Sequence, residues 1–340
     1  MRAVVLHETG PADNLRLEDW PRPVASPGHV VVRVLASGVC YRDVIDRQGG
    51  FPFAKRPVVP GHEFAGEVVE VGAGVEGFTP GDRVVNLHRA ACGQCEYCLA
   101  GHEPRCLRAL FSYGLTADGA YAEYVLAPTG SLVPLPAGIE PERACFLACT
   151  AGIALRGLRT RAALRPGETV LVTGATGGVG LHALQVARAL SARTIAVTSS
   201  AAKVDTLRAY GADEVVVSAD LAFHKEVKRR TGGVHVAFDC VGEPTINASI
   251  RSVRAMGRVV VAGNVTIGRA EVNPGYFILN EVAFMGTSGC TRADLQQILD
   301  WVLAGTLRPA LAEVLPLSAA ADAHRRLEAR SISGRLVLKP

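Results

Sequence analysis

At 340 residues, 49% hydrophobic and 20% charged, the chain is long enough for two domains with a sizeable core, and its composition excludes a disordered protein. The net charge of +4 is small and spread out. Its densest run, Lys228-Arg229-Arg230, reads as a solvated helix face, so no nucleic-acid partner is expected.

The opening segment, Met1 to Asn14, lacks a signal-peptide core, and the longest apolar run, Ala144 to Leu155, is well short of the roughly 20 residues of a membrane span. No membrane partner and a cytoplasmic location are therefore expected. The nine cysteines are then read as metal ligands before disulfides.

The first half reads as β-rich. "HVVVRVLASGV" is a β-branched run after "SPG", "GHEFAGEVVEVGAGV" is a strand broken by glycines, and "GDRVVNL" and "GAYAEYVLA" are further short strands. Glycine punctuation of this kind fits a bent, barrel-like β domain.

Within this half, Cys40 lies in "GVCYRD" and His62 and Glu63 in "GHEFAG"; Cys149 follows in "FLACTAG". Taken singly, each reads as a core thiol or an ordinary buried polar residue. Together, the two cysteines and the histidine would make an open three-ligand zinc site, although spacing alone does not bring them together. "CGQCEYCLAGHEPRC" is more specific. Cys92, Cys95, Cys98 and Cys106 offer four thiolates on a short loop, which suits closed tetrahedral zinc with a structural role. Disulfides and an iron–sulfur cluster are the weaker alternatives.

Beyond residue 150 the rhythm becomes βαβ. "ETVLVTGATGGVGLHALQVARAL" is a buried strand, a glycine turn and a helix, and "RTIAVTSS", "EVVVS", "VHVAFDCVG", "GRVVVAGN" and "EVAFMGTSG" are later strands between helical segments. That order predicts a doubly wound parallel sheet. The turn Gly177-Gly178-Val179-Gly180 suits a dinucleotide pyrophosphate, with alanine (Ala175) at the first glycine of the fingerprint. The second strand ends at Thr198, where an acidic residue would hold a free ribose hydroxyl. Thr198, Ser199, Ser200 and Lys203 better suit a 2′-phosphate, so NADP(H) is favoured over NAD(H). After Thr291, "RADLQQILDWVLAG" and "GRLVLKP" are too little to fold alone and are expected to rejoin the first domain.

With these motifs in place, the whole chain resembles the zinc-containing medium-chain dehydrogenase/reductases, the alcohol dehydrogenase superfamily. The signature-like "GHEFAGEVVEVGAGVEGFTPGDRV", the four-cysteine lobe, "GATGGVG" and "DCVG" follow in that family's order. The resemblance implies an α/β protein: a GroES-like β-rich catalytic domain over 1–149 and 287–340, with a zinc lobe near 88–108, and a Rossmann domain over 150–286. It places Cys40, His62 and Cys149 as catalytic zinc ligands, Glu63 as an exchangeable ligand, Asp43 as the carboxylate orienting His62, and Cys92, Cys95, Cys98 and Cys106 as structural zinc ligands. Val241 and Gly242 join the cofactor turn. Homodimers or homotetramers are implied as well.

"CYRD" departs from the alcohol dehydrogenases, which carry Ser or Thr, and often His, where Arg42 and Ile45 stand here. Neither residue can pass on an alcohol proton. "CYRD", "VTGATGGVG" and "NPGYFILNE" are closer to the acryloyl-CoA reductase branch. The sequence-based expectation is a zinc-dependent alcohol or carbonyl oxidoreductase, with Tyr41 near a small-molecule substrate. Conjugate reduction of an enoyl thioester is the rival; Arg42 could then pair with a CoA phosphate or simply form a salt bridge. A non-catalytic NADPH-binding protein is the remote alternative.

Overall fold

A computed structural model of the chain describes residues 1–109 and 111–340. They divide into two compact units. One comprises Met1–Cys149, Gly289–Leu303 and Leu311–Pro340; the other comprises Thr150–Ser288 and Ala304–Ala310. The short return of residues 304–310 to the second unit differs from the single late boundary expected from sequence. Its backbone is held there: Ala310 N donates to His182 Nε2 at 3.2 Å, and Arg308 N to Gln185 Oε1 at 2.8 Å.

The first unit is built on a seven-stranded sheet. Its centre is His29–Val39, whose β-branched residues are buried on both faces, as an apolar run rather than an alternating one requires. Antiparallel partners are Phe64–Val71, Tyr124–Pro128 and Arg335–Lys339, so the last strand of the chain pairs beside the first half. One core gathers Val30, Val32, Phe64, Val84 and Tyr113; another gathers Val4, Leu6, Val39, Tyr121, Leu336 and Leu338. "GAYAEYVLA" forms a shorter strand than its sequence suggests, beginning only at Tyr124.

The second unit is a six-stranded, fully parallel sheet. Its strands run Glu214–Val217, Arg193–Thr198, Thr169–Thr173, Val234–Asp239, Val253–Val261 and Ala283–Gly286 across the sheet. Numbered in chain order this is 3-2-1-4-5-6, the doubly wound arrangement that binds dinucleotides where the order reverses. The helix Gly178–Ala189 follows the first strand across the glycine turn. A Cβ on Gly180 would lie 2.4 Å from Gly174 O, so only glycine lets this helix start so close to the strand.

Candidate active site

Cys40 follows the central strand directly and caps the helix Tyr41–Arg47. Asp43, three residues on, closes a reciprocal capping box, its Oδ2 accepting from Cys40 N at 3.4 Å. His62 and Glu63 precede the strand Phe64–Val71. Buried Asn86 clamps that approach, donating to His62 O at 2.8 Å and accepting from Phe64 N at 2.7 Å. Gly61 sets the entry to it. Its φ is +93°, and a Cβ there would lie 2.4 Å from the Tyr121 ring. Cys149 sits in a π-helical turn, Ala148–Gly152, a wide turn often found at functional sites.

These pieces bring Cys40, His62, Glu63 and Cys149 together, all buried, with their ligand atoms within 4.8 Å of one another. Cys40 Sγ lies 3.9 Å from Cys149 Sγ, and Cys149 Sγ 3.5 Å from His62 Nε2. Tetrahedral zinc with bonds of about 2.3 Å to sulfur and about 2.0 Å to nitrogen sets those separations at about 3.8 and about 3.6 Å. Both separations therefore fit zinc, and the remaining ligand atoms lie within 4.8 Å. Cys92, Cys95, Cys98 and Cys106 form a second group, with sulfur separations of 4.0 Å (92–98), 3.5 Å (95–98) and 3.9 Å (95–106). The same test is met there.

Asp43 Oδ1 accepts from His62 Nδ1 at 2.9 Å and from Arg42 Nη2 at 3.1 Å. Burial pushes the Asp43 carboxyl up, but the His62 charge, the His62 hydrogen bond and the Arg42 charge together outweigh it and hold the group down at about 2. Burial and Arg42 disfavour a charge on His62; Asp43 and Cys40 overcome them and lift it to about 9. Burial raises Glu63 to about 7 against the pull of Arg335. The Cys149 hydrogen bond lowers Cys40 and raises Cys149, which makes Cys40 the readier thiolate.

Arg42 is half-buried, its Nη2 also donating to Tyr113 O at 2.8 Å. It forms a salt bridge to Asp43, one of the two roles open to it in sequence. Tyr41 and Ile45 are half-buried on the same helix, Tyr41 outside the four-residue cluster.

In the second unit, Thr198 ends its strand, and its Oγ1 accepts from Ser200 N at 3.2 Å. Ser199 is exposed, and Lys203 is half-buried in the turn Ala201–Lys203. The turn carrying Val241 and Gly242 is fixed by fully buried Asp239, whose Oδ1 accepts from both amides at 2.9 and 2.8 Å.

Sequence reasoning missed Arg335, Tyr121, His324 and His88. Arg335 binds Glu63, Tyr121 binds Asp43, His324 lies beside Tyr121, and the His88 ring stacks on His62 with centroids 5.3 Å apart. A signal existed for two of them. Arg335 opens a strand whose next three residues are apolar, and His324 shares a helix face with Ala320, Ala323 and Leu327.

A GroES-like unit carrying a buried cluster of two Cys, a His and a Glu that could hold a metal, in one chain with a Rossmann unit, defines a zinc-type medium-chain dehydrogenase/reductase. Residues 26–137 match the family "Alcohol dehydrogenase GroES-like domain" and residues 178–304 match "Zinc-binding dehydrogenase"; the chain belongs to this oxidoreductase family. It is 40% identical over 339 residues to an acryloyl-coenzyme A reductase of Metallosphaera sedula, covering 99% of each chain. Among solved structures, it is similar to AibC (45% identity, TM-score 0.93, 100% of this chain and 96% of that one). It is also similar to an NAD-dependent alcohol dehydrogenase (35%, 0.93, 100% of both). Among the described residues, no helix is long and apolar enough to cross a membrane.

Proposed function

We propose that the chain is a nicotinamide-dependent reductase of 2-enoyl thioesters, with reduction of a simple carbonyl as the second reading. Arg42 carries the proposal. A carbonyl reductase must deliver a proton to the oxygen on which an alkoxide forms. A guanidinium, which only donates and is bound to Asp43 and Tyr113 O, cannot relay one, and Ile45 has none to give.

Conjugate reduction avoids that demand. A bound reduced nicotinamide would supply hydride for a C–H bond at the β-carbon; the C=C electron pair would move to leave an enolate, and a solvent proton would add at the α-carbon. Enoyl thioester, NAD(P)H and a proton thus give saturated thioester and NAD(P)⁺. Full-length similarity to an acryloyl-coenzyme A reductase supports this reading. The intact Cys40, His62 and Cys149 set favours the second one.

In both readings Cys40, His62 and Cys149 would hold zinc, with Glu63 able to exchange, and the four clustered cysteines would hold a structural zinc. Zinc at the first site supplies a Lewis acid for a carbonyl or thioester oxygen. Asp43 holds the proton on His62 Nδ1, which leaves Nε2 facing the sulfur atoms. Tyr41, in the turn that Cys40 opens, is assigned to substrate contact.

The amides of Gly177, Gly178, Val179 and Gly180 would take the pyrophosphate at the helix start. Val241 and Gly242 would border the cofactor, and Thr198, Ser199, Ser200 and Lys203 make NADP(H) the favoured form. The apolar edge strand Ala283–Gly286, with exposed Phe284, Ile278 and Leu279 nearby, is read as a contact between two copies.

The test is oxidation of NADPH and NADH with acryloyl-CoA, crotonyl-CoA and a panel of aldehydes. Rapid turnover of the enoyl thioesters alone is expected. Turnover of aldehydes alone would sink the proposal.

A further inference from the structure

The hydrogen bonds behind Asp43 continue well past the metal cluster. Tyr121, fully buried, donates from its hydroxyl to Asp43 Oδ2 at 3.3 Å. His324, also fully buried, places Nε2 3.4 Å from the same hydroxyl and Nδ1 3.4 Å from Arg47 Nε. Arg47 is buried in turn, bound to Gly10 O and, at 2.5 Å, to Glu328 Oε1. Glu328 and His324 share the helix Ala320–Glu328, so the chain's last helix reaches the helix that Cys40 caps.

The donor inventory fixes the direction of every link. Arg47 Nε can only donate, so His324 Nδ1 must accept and the neutral ring carries its proton on Nε2. That proton goes to the Tyr121 oxygen. The tyrosine's own proton is then left for Asp43 Oδ2. Asp43, an acceptor at both oxygens, takes the His62 proton at Oδ1. With Nδ1 committed to Asp43, His62 Nε2 is the nitrogen turned toward Cys149 Sγ, the one that would ligate a metal there. Burial pushes His324 down to about 4, so the ring is neutral near pH 7 and the chain has one polarity. The outer links, at 3.3–3.4 Å, are long beside the 2.9 Å inner one. They orient the carboxylate rather than grip it.

We propose that Tyr121 and His324 are positioning residues for the catalytic metal: a one-way hydrogen-bond chain that aims the Asp43 carboxylate and thereby holds His62 as an Nε2 ligand. Neither residue touches substrate or cofactor. The inference rests on the reading of Cys40, His62 and Cys149 as a metal centre.

The experiment uses the full chain loaded with zinc at the four-cysteine site and cobalt(II) at the other. Tyr121→Phe keeps the ring and removes only the hydroxyl. It should release cobalt to a chelator about tenfold faster, the low end of what outer partners of metal ligands provide. The cobalt absorption band should shift, while the zinc and the melting temperature are retained. His324→Phe should have a smaller effect, about threefold on the same scale, and the double variant should match Tyr121→Phe alone, because the two act through one hydroxyl.

Unchanged cobalt release in Tyr121→Phe would overturn the proposal. So would additive single effects, or a variant that loses both metals together with its fold, since each assigns Tyr121 to packing alone. Cys40→Ala separates this from the parent reading. If it removes no metal, the metal centre itself is wrong; if it removes one equivalent and Tyr121→Phe does nothing, only the positioning chain fails.

Discussion

Arg335 and Glu63, 272 residues apart in sequence, form a two-pronged ion pair with almost no exposure to solvent. Arg335 Nε donates to Oε2 at 3.2 Å, and its Nη2 reaches Oε1. The last strand thus supplies the counter-charge for a carboxylate inside the buried Cys40, His62, Glu63 and Cys149 cluster. Burying both charges is expensive, and the pair persists because each satisfies the other.

Removing only the arginine should therefore hurt more than removing the pair. Arg335→Met strands the Glu63 carboxylate, and urea melts are expected to show a loss of about 3 kcal/mol or more. Arg335→Met with Glu63→Gln should recover more than half of that loss. If the single variant melts like the parent, Arg335 does not hold Glu63 in solution.

The four-cysteine lobe has few buried side chains of its own, so its order depends on ligation. Cys98→Ser is expected to lower bound zinc from two equivalents to one, with a lower melting temperature. Cys40→Ala should also remove one equivalent, and the double variant both. Metal analysis that finds two equivalents in Cys98→Ser would dismiss the four-sulfur site.

The four-cysteine cluster and the glycine turn were legible in the sequence because their spacing is local. Cys92 to Cys106 can meet with only a short loop between them, and Gly177 to Gly180 lie between a strand and a helix readable from their own residues. Cys40, His62 and Cys149 became legible only through the pattern of a family. Nothing local to Tyr121 says that it meets Asp43, 78 residues back along the chain, or to His324 that it meets Tyr121 from the last helix. Such contacts depend on how the sheet and the C-terminal helix pack, which periodicity does not specify. Arg42 was legible as a departure, but its partner Tyr113 O, 71 residues away, was not.

His324 should also leave a mark on the pH dependence of stability. Burial lowers its pKa to about 4, with Asp43, Glu328 and Cys40 opposing and Arg47 assisting, while the Tyr121 ring meets it edge-on. The unfolded chain takes up this proton near pH 6.5, the folded chain only near pH 4. Above pH 6.5 both forms are neutral and the full stability is present. As pH falls through the window the unfolded state binds more protons, and stability drops by about 3 kcal/mol by pH 4. His324→Phe should flatten that part of the curve relative to the parent. Parallel curves for the two chains would show that His324 does not stay neutral.

Cofactor choice is tested at the end of the second Rossmann strand. Lys203→Glu places a negative charge where a 2′-phosphate is proposed to sit. The expected result is a rise of about tenfold or more in KM for NADPH, with KM for NADH changed less than about threefold. Equal effects on both cofactors would assign Lys203 to the fold of the turn Ala201–Lys203 rather than to the phosphate.

Arg42 offers the sharpest separation of the two reactions. Arg42→Thr removes a half-buried cation whose side-chain partners are Asp43 Oδ1 and Tyr113 O, and puts a hydroxyl where alcohol dehydrogenases of this family carry one. The Asp43–His62 bond does not depend on it and should survive. If the missing relay is what bars carbonyl chemistry, aldehyde reduction should rise at least about tenfold, the lower reach of general acid–base assistance. Enoyl thioester reduction, which needs no proton on an alkoxide, should stay within about threefold of the parent. The opposite pattern, a parent that already reduces aldehydes and a threonine variant that no longer does, would make Arg42 part of carbonyl chemistry and reverse the order of the two readings.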